Sequence, residues 1–181
     1  MLASGSGTIL EAILGRGLPV VVVLVDRPCR ALDVASAAGL PAVLVERDTF
    51  GAGFDRDAYT SRVVAALREH AVELVAMAGF MTILGREMFD AFDGRVVNTH
   101  PSLLPAFRGA HAVPDALAAG VKVTGCTVHV ATLEVDAGPI LAQEPVRVLP
   151  DDDEASLHER IKAVERDLYP RTIAELLEAS P

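Results

Sequence analysis

The stretch LPVVVVLVD, residues 18–26, decides the fold. It is a continuous apolar run of strand length, ended by Asp26. A strand that faces water on one side alternates apolar and polar residues. An unbroken run suits a parallel strand covered on both faces. The segments on either side agree. Before it, SGSGTILEAILGRG (4–17) reads as a glycine turn opening a helix, with Ile9, Leu10, Ile13 and Leu14 at helical spacing. After it, ALDVASAAGL (31–40) predicts a helix ending at Gly39, and PAVLVE (41–46) predicts another strand.

The alternation continues along the chain. DRDAYTSRVVAALREH predicts an amphipathic helix, VELVAMAGF a buried strand, REMFDAF a short helix and RVVNTH a strand. HAVPDALAAG predicts a helix with Pro114 in its first turn, where its missing N–H costs nothing. TGCTVHVAT alternates as a strand, and PILAQEPVRVL is a further strand or hairpin arm. The DDDEASLHERIKAVERDLYPRTIAELLEA segment predicts a helix whose acidic start suits the helix dipole. Strand and helix in alternation indicate an α/β fold: a Rossmann-like open, mostly parallel sheet with helices on both faces. The 181 residues fit one domain, 1–181. Only Met1, Leu2 and Ala3 precede the glycine turn, which predicts a first strand cut short and a gap in the sheet.

Composition narrows the function classes. The net charge of −9 argues against broad nucleic-acid binding, which needs a basic surface. No apolar run reaches the length of a membrane span, and MLASGSG does not read as a signal peptide, so a cytoplasmic protein without membrane attachment is expected. Cys29 and Cys126 form no CxxC pair and read as reduced, partly buried thiols. The five histidines show no HExxH or HxH spacing, so no metal is expected.

Three places could carry chemistry. Gly5 and Gly7 precede a helix whose first N–H groups are free for an anion. Leu10 stands where a dinucleotide fingerprint has its third small residue, so a monophosphate fits better than a dinucleotide. In RVVNTH, Asn98 and His100 project to the same side at a strand end, where ligands of open α/β sheets sit. An amide donor beside a protonated imidazole suits a developing oxyanion. Pro101 and Pro105 stiffen the loop that follows. Asp136, in DAGP, reads either as a turn residue or as a carboxylate that orients His100. His129 has the apolar neighbours of a core histidine and reads equally as structure or as support for the site.

AGFMTIL, VVNTHPSLLPAFRGAH, VTGCTVHVATLEVDAGPILAQ and ERDLYP together resemble the folate-dependent formyltransferases of purine synthesis, and the resemblance covers nearly the whole chain. It implies that a formyl group passes from 10-formyltetrahydrofolate to the amine of glycinamide ribonucleotide, with no metal. By that resemblance Asn98, His100 and Asp136 are catalytic, Asn98 and His100 stabilising the oxyanion and Asp136 helping to move a proton through water. Gly5, Gly7, Thr8, Ile9 and Glu165 would hold glycinamide ribonucleotide. Arg56, Met81, Thr82, Ile83 and Leu84, with Asn98, would line the folate site, and His111 and His129 match family positions near the active site, as supporting residues. The partners implied are these two small molecules, for a monomer or homodimer.

The chain departs from the family at Ile9, where the phosphate turn often ends in Asn, and at Thr82, where the folate-side segment often has Arg. Against the family pattern both ends are expected to be short. The rival readings within the fold are a formyltetrahydrofolate hydrolase and a methionyl-tRNA formyltransferase-like enzyme, the latter suggested by Arg108-Gly109-Ala110. A non-catalytic nucleotide-binding module is the rival of another class.

Overall fold

A computed structural model describes residues 1–47, 49, 51 and 53–179. Its strands make a mostly parallel, seven-stranded open sheet of α/β type with helices packed on it. The chain divides into two compact units, Met1–Val97 and Asn98–Pro181.

In the first unit β1 (Leu2–Ala3), β2 (Val23–Val25), β3 (Ala42–Leu44) and β4 (Val75–Ala78) stand in the order β3-β2-β1-β4 and pair in parallel. The apolar run 18–26 supplies β2, but only Val23–Val25 are strand, because ladder pairing and not hydrophobicity sets a strand's length. The whole of β2 is buried, as the unbroken run predicts. The expected gap beside the first strand is not found. The two residues of β1 pair with Leu24 and Val25 on one side and with Met77 and Ala78 on the other. The Leu24 N–H also donates to the Met1 carbonyl at 2.8 Å.

Helix α1 (Thr8–Gly15) packs on α2 (Arg30–Ala37), and α3 (Arg56–Glu69) on α4 (Arg86–Ala91). Ile9, Leu10 and Ile13 are the buried stripe of α1 at the spacing read from the sequence. Burying a side chain such as Leu10 fully contributes about 2 kcal/mol. Asp55 caps α3, its Oδ1 accepting the Ala58 N–H at 2.9 Å.

The strand β5 (Val96–His100) begins in the first unit and ends in the second. In the second, α5 (Ala112–Ala118) carries Pro114 in its first turn, and β6 (Val123–Val130) pairs antiparallel with β7 (Ile140–Arg147). PILAQEPVRVL is therefore a hairpin arm. The register slips between Val128 and His129, a bulge beside a candidate site residue. Helix α6 (Glu154–Ala179) starts where the Asp153 carboxylate accepts the Ser156 N–H, and it runs on through Pro170. Among the described residues no helix is long and apolar enough to cross a membrane.

Candidate active site

A strand end, a hairpin and a turn in the second unit bring four polar side chains together. His100 closes β5, is buried, and its Nδ1 lies 3.3 Å from Asp136 Oδ2. Its Nε2 donates to the Phe107 carbonyl at 2.8 Å. Both ring nitrogens thus face oxygen acceptors, a pairing that a ring with two N–H donors satisfies at once. Two residues earlier on the same side, Asn98 Nδ2 lies 3.3 Å from His129 Nε2. The other nitrogen of His129 donates to the Val130 carbonyl at 3.0 Å. His129 Nε2 is also 3.6 Å from Asp136 Oδ1, so the carboxylate stands between two imidazoles.

Local geometry fixes Asp136. It adopts the left-handed region, φ 54°, which costs an L-residue about 1 kcal/mol and which Asp tolerates better than most. Its Oδ2 accepts the Gly109 N–H at 2.8 Å. The turn that follows needs Gly138, because a Cβ there would run into the Val130 carbonyl. The DAGP signal is therefore a turn and a carboxylate site at once. Burial pushes the Asp136 carboxyl up. Hydrogen bonds from His129 and Gly109, with the charges of His100 and His129, outweigh burial and hold it below the usual range. Asp136 is an anion at neutral pH.

The remaining candidates of the second unit are Glu165 and His111. Glu165, on α6, is hydrogen-bonded by Thr99, and its carboxyl is pushed up chiefly by burial. His111 is exposed at the N-cap of α5 and caps nothing with its side chain. The groups acting on Asp136 are His129, Gly109 and His100.

In the first unit Gly7 has φ 72° and sits so close to α2 that a Cβ would meet the Ala31 Cα at 3.0 Å. It occupies the N-cap of α1 without a side-chain cap, which leaves the first-turn amides of Thr8 and Ile9 to another acceptor. Gly5 is exposed, Thr8 half-buried and Ile9 buried. Arg56 is exposed at the start of α3. Met81 and Ile83 are 57% and 49% exposed, whereas Thr82 and Leu84 are buried, so the segment alternates outward and inward.

Several supporting residues were not singled out from the sequence. Thr127 donates to the Ser102 carbonyl at 2.6 Å and accepts the Leu104 N–H at 3.0 Å. Gln143 donates to the Leu104 carbonyl and to Thr127, both at 2.9 Å. Together they hold the loop below His100, whose Leu104–Pro105 bond is cis. The alternation of TGCTVHVAT put Thr127 on the same face as His129 and was the available signal.

The formyl transferase family profile matches residues 1–173. Phosphoribosylglycinamide formyltransferase of Mycobacterium tuberculosis (strain ATCC 25618 / H37Rv) is 49% identical over 181 residues, covering 97% of this chain and 83% of that protein. Among solved structures, glycinamide ribonucleotide transformylase 1 from Symbiobacterium toebii superposes with a TM-score of 0.89 at 42% identity, over 95% of this chain and 83% of that one. Phosphoribosylglycinamide formyltransferase from Bacillus halodurans gives a TM-score of 0.91 at 38% identity, over 99% and 95%. With a family profile spanning nearly its full length and relatives of this closeness, the chain belongs to the formyl transferase family, among its phosphoribosylglycinamide formyltransferases.

Proposed function

We propose that this chain passes the formyl group of 10-formyltetrahydrofolate to the primary amine of glycinamide ribonucleotide, a step of purine biosynthesis. The observation that carries the reading is the cluster at the end of β5. A buried imidazole lies 3.3 Å from a buried carboxylate, with an amide donor two residues away on the same strand face. The hydrolase and tRNA-directed readings are not favoured by the Mycobacterium tuberculosis and Bacillus subtilis relatives, which carry the phosphoribosylglycinamide formyltransferase name.

Attack of an amine on a formyl carbon builds negative charge on the formyl oxygen. The Asn98 amide and the His100 imidazolium are the donors assigned to that oxygen, and one such donor contributes about a hundred- to a thousandfold in rate. The His100 Nε2–H is engaged by the Phe107 carbonyl, so serving the oxyanion requires it to exchange that partner. Asp136, anionic and held by Gly109, takes the proton released by the attacking amine, through water, and passes it to the folate nitrogen as the C–N bond to the formyl carbon breaks and tetrahydrofolate leaves. His129 braces Asn98 and Asp136 from the other side.

In the first unit, the uncapped amides of the Gly5–Ile9 turn suit a phosphate. The outward Met81 and Ile83 side chains suit the flat face of a pterin. Arg56 is assigned to the folate as a charge partner. In the second unit, Glu165 is assigned to glycinamide ribonucleotide and His111 to a supporting role.

The test is a spectroscopic transfer assay with glycinamide ribonucleotide, run against tRNA and water as alternative acceptors. Product in excess over enzyme, formed only with the ribonucleotide, is expected; turnover with water or tRNA alone would replace the reading. His100→Ala and Asp136→Asn are each expected to lower kcat by about tenfold or more with unchanged far-ultraviolet circular dichroism. Parent-level turnover in either variant removes that residue from the mechanism.

A further inference from the structure

Asp26 ends the apolar run of β2 and is 1% exposed. A carboxylate in that place needs partners, and it has them. Arg27 Nε donates to Oδ1 and an Arg27 terminal nitrogen donates to Oδ2, both at 3.1 Å. The Thr82 hydroxyl donates to Oδ2 at 2.8 Å, across 56 residues of sequence. The Ser4 hydroxyl is also hydrogen-bonded to the carboxylate. Burial pushes the carboxyl up, and these bonds together with the Arg27 charge outweigh it. Two carboxylate oxygens offer about four acceptor positions, so these donors leave little capacity for a ligand. Asp26 is a tie between protein segments.

The segments it joins are informative. Ser4 immediately precedes the glycine turn at the end of β1, and its oxygen also accepts the Met81 N–H at 3.0 Å. Thr82 lies in the loop after β4. Strands β1 and β4 are parallel neighbours in the first unit, so both loops leave the same edge. With the Thr82 hydroxyl drawn inward to Asp26, its neighbours Met81 and Ile83 are turned outward.

We infer that Asp26 is a positioning residue: one buried charge fixes the glycine turn and the Met81–Leu84 segment in a common frame, so that both substrate-contacting loops depend on it. The inference rests on the proposed assignment of those loops to the phosphate and to the folate. It touches neither substrate and acts through Ser4 and Thr82.

Calorimetric Kd values for glycinamide ribonucleotide and for 10-formyltetrahydrofolate, each alone, test it on the whole chain, beside KM and kcat. Asp26→Asn is expected to weaken both ligands by about tenfold, the scale of a lost charge-assisted hydrogen bond, with kcat within about twofold of the parent. Thr82→Val is expected to weaken the folate and Thr82→Ser to restore it. The Asp26→Asn and Thr82→Val effects are expected to add to less than their sum, because Thr82 acts through Asp26. A loss of thermal stability with both Kd values at the parent level overturns the inference, as does a fall in kcat alone. Should Asp26→Asn fail to fold, parent-level folate binding by Thr82→Val overturns it instead. A parent chain that binds both ligands but transfers no formyl group refutes the proposed function and leaves the binding comparison able to decide this one.

Discussion

Thr124 and Asp136 show how differently a buried polar atom can be treated within one hairpin. Asp136 collects a backbone N–H and two imidazoles around its carboxylate, and that company repays the left-handed backbone it adopts. Thr124, 1% exposed at the start of β6, has the opposite fortune: among the described residues its hydroxyl is buried without a hydrogen-bond partner. An unpaired buried hydroxyl lost its water on folding and gained nothing in exchange. Valine has the same branched shape without that group. Thr124→Val is therefore expected to stabilise the fold by about 1 kcal/mol, read as a higher urea midpoint at unchanged slope. A midpoint at or below that of the parent would mean that the hydroxyl has a partner the geometry does not reveal.

At the scale of elements, the loop after β5 is held by β6 and β7 more than by its own prolines. Thr127 uses its one hydroxyl twice, on Ser102 and on Leu104, and Gln143 bonds to the same place. Thr127→Val would leave a buried Leu104 N–H and a Ser102 carbonyl unpaired. That is expected to cost about 2 kcal/mol, measured by denaturant titration, whereas Thr127→Ser keeps most of the stability. Equal losses in the two variants would assign the effect to the methyl group and its packing. The sequence showed the elements themselves, because apolar runs such as 18–26 and periodic stretches such as 56–69 are imposed by burial. It did not show their lengths: β2 keeps three residues of a nine-residue run, and two residues suffice for β1. Within the site, Asn98 and His100 were legible from alternation along one strand, and the Asp136 turn from DAGP. The contacts of Thr82 with Asp26 and of Thr127 with Ser102 were not, since they join positions far apart in the chain, and nothing local in either segment announces the other.

At the scale of the molecule, several carboxylates share one electrostatic direction. Asp26, Asp136, Asp152 and Asp153 are all held below their usual range: burial opposes the shift at the first two, while Arg160 at Asp152 and the Ser156 donors at Asp153 lead it. A depressed carboxyl contributes stability that is present above its unfolded-state pKa and is lost as pH falls through its folded-state value. Glu165 runs the other way, its raised carboxyl favouring the fold at low pH and losing that contribution as pH rises. Glu11, lowered by its hydrogen bond from Arg30, joins the four, so among the described residues depressed carboxyls outnumber the raised one, and stability is expected to fall as pH drops below about 4, where the unfolded chain takes up protons first. Urea titrations at pH 7, 5 and 3.5 measure it, and a flat profile would show that the depressed carboxylates do not dominate.

The fate of the two cysteines follows from the same interior. Cys126 is wholly buried on β6 against Thr99, and burial, with Glu165 nearby, pushes its thiol up to about 12, while Cys29 is half-buried at the start of α2. A thiol that neither meets solvent nor ionises cannot be alkylated while the chain is folded. Iodoacetamide should therefore leave Cys126 unmodified in the native protein and label it once denaturant opens the second unit, so that its alkylation, followed peptide by peptide, gives a clock for that opening without any added probe.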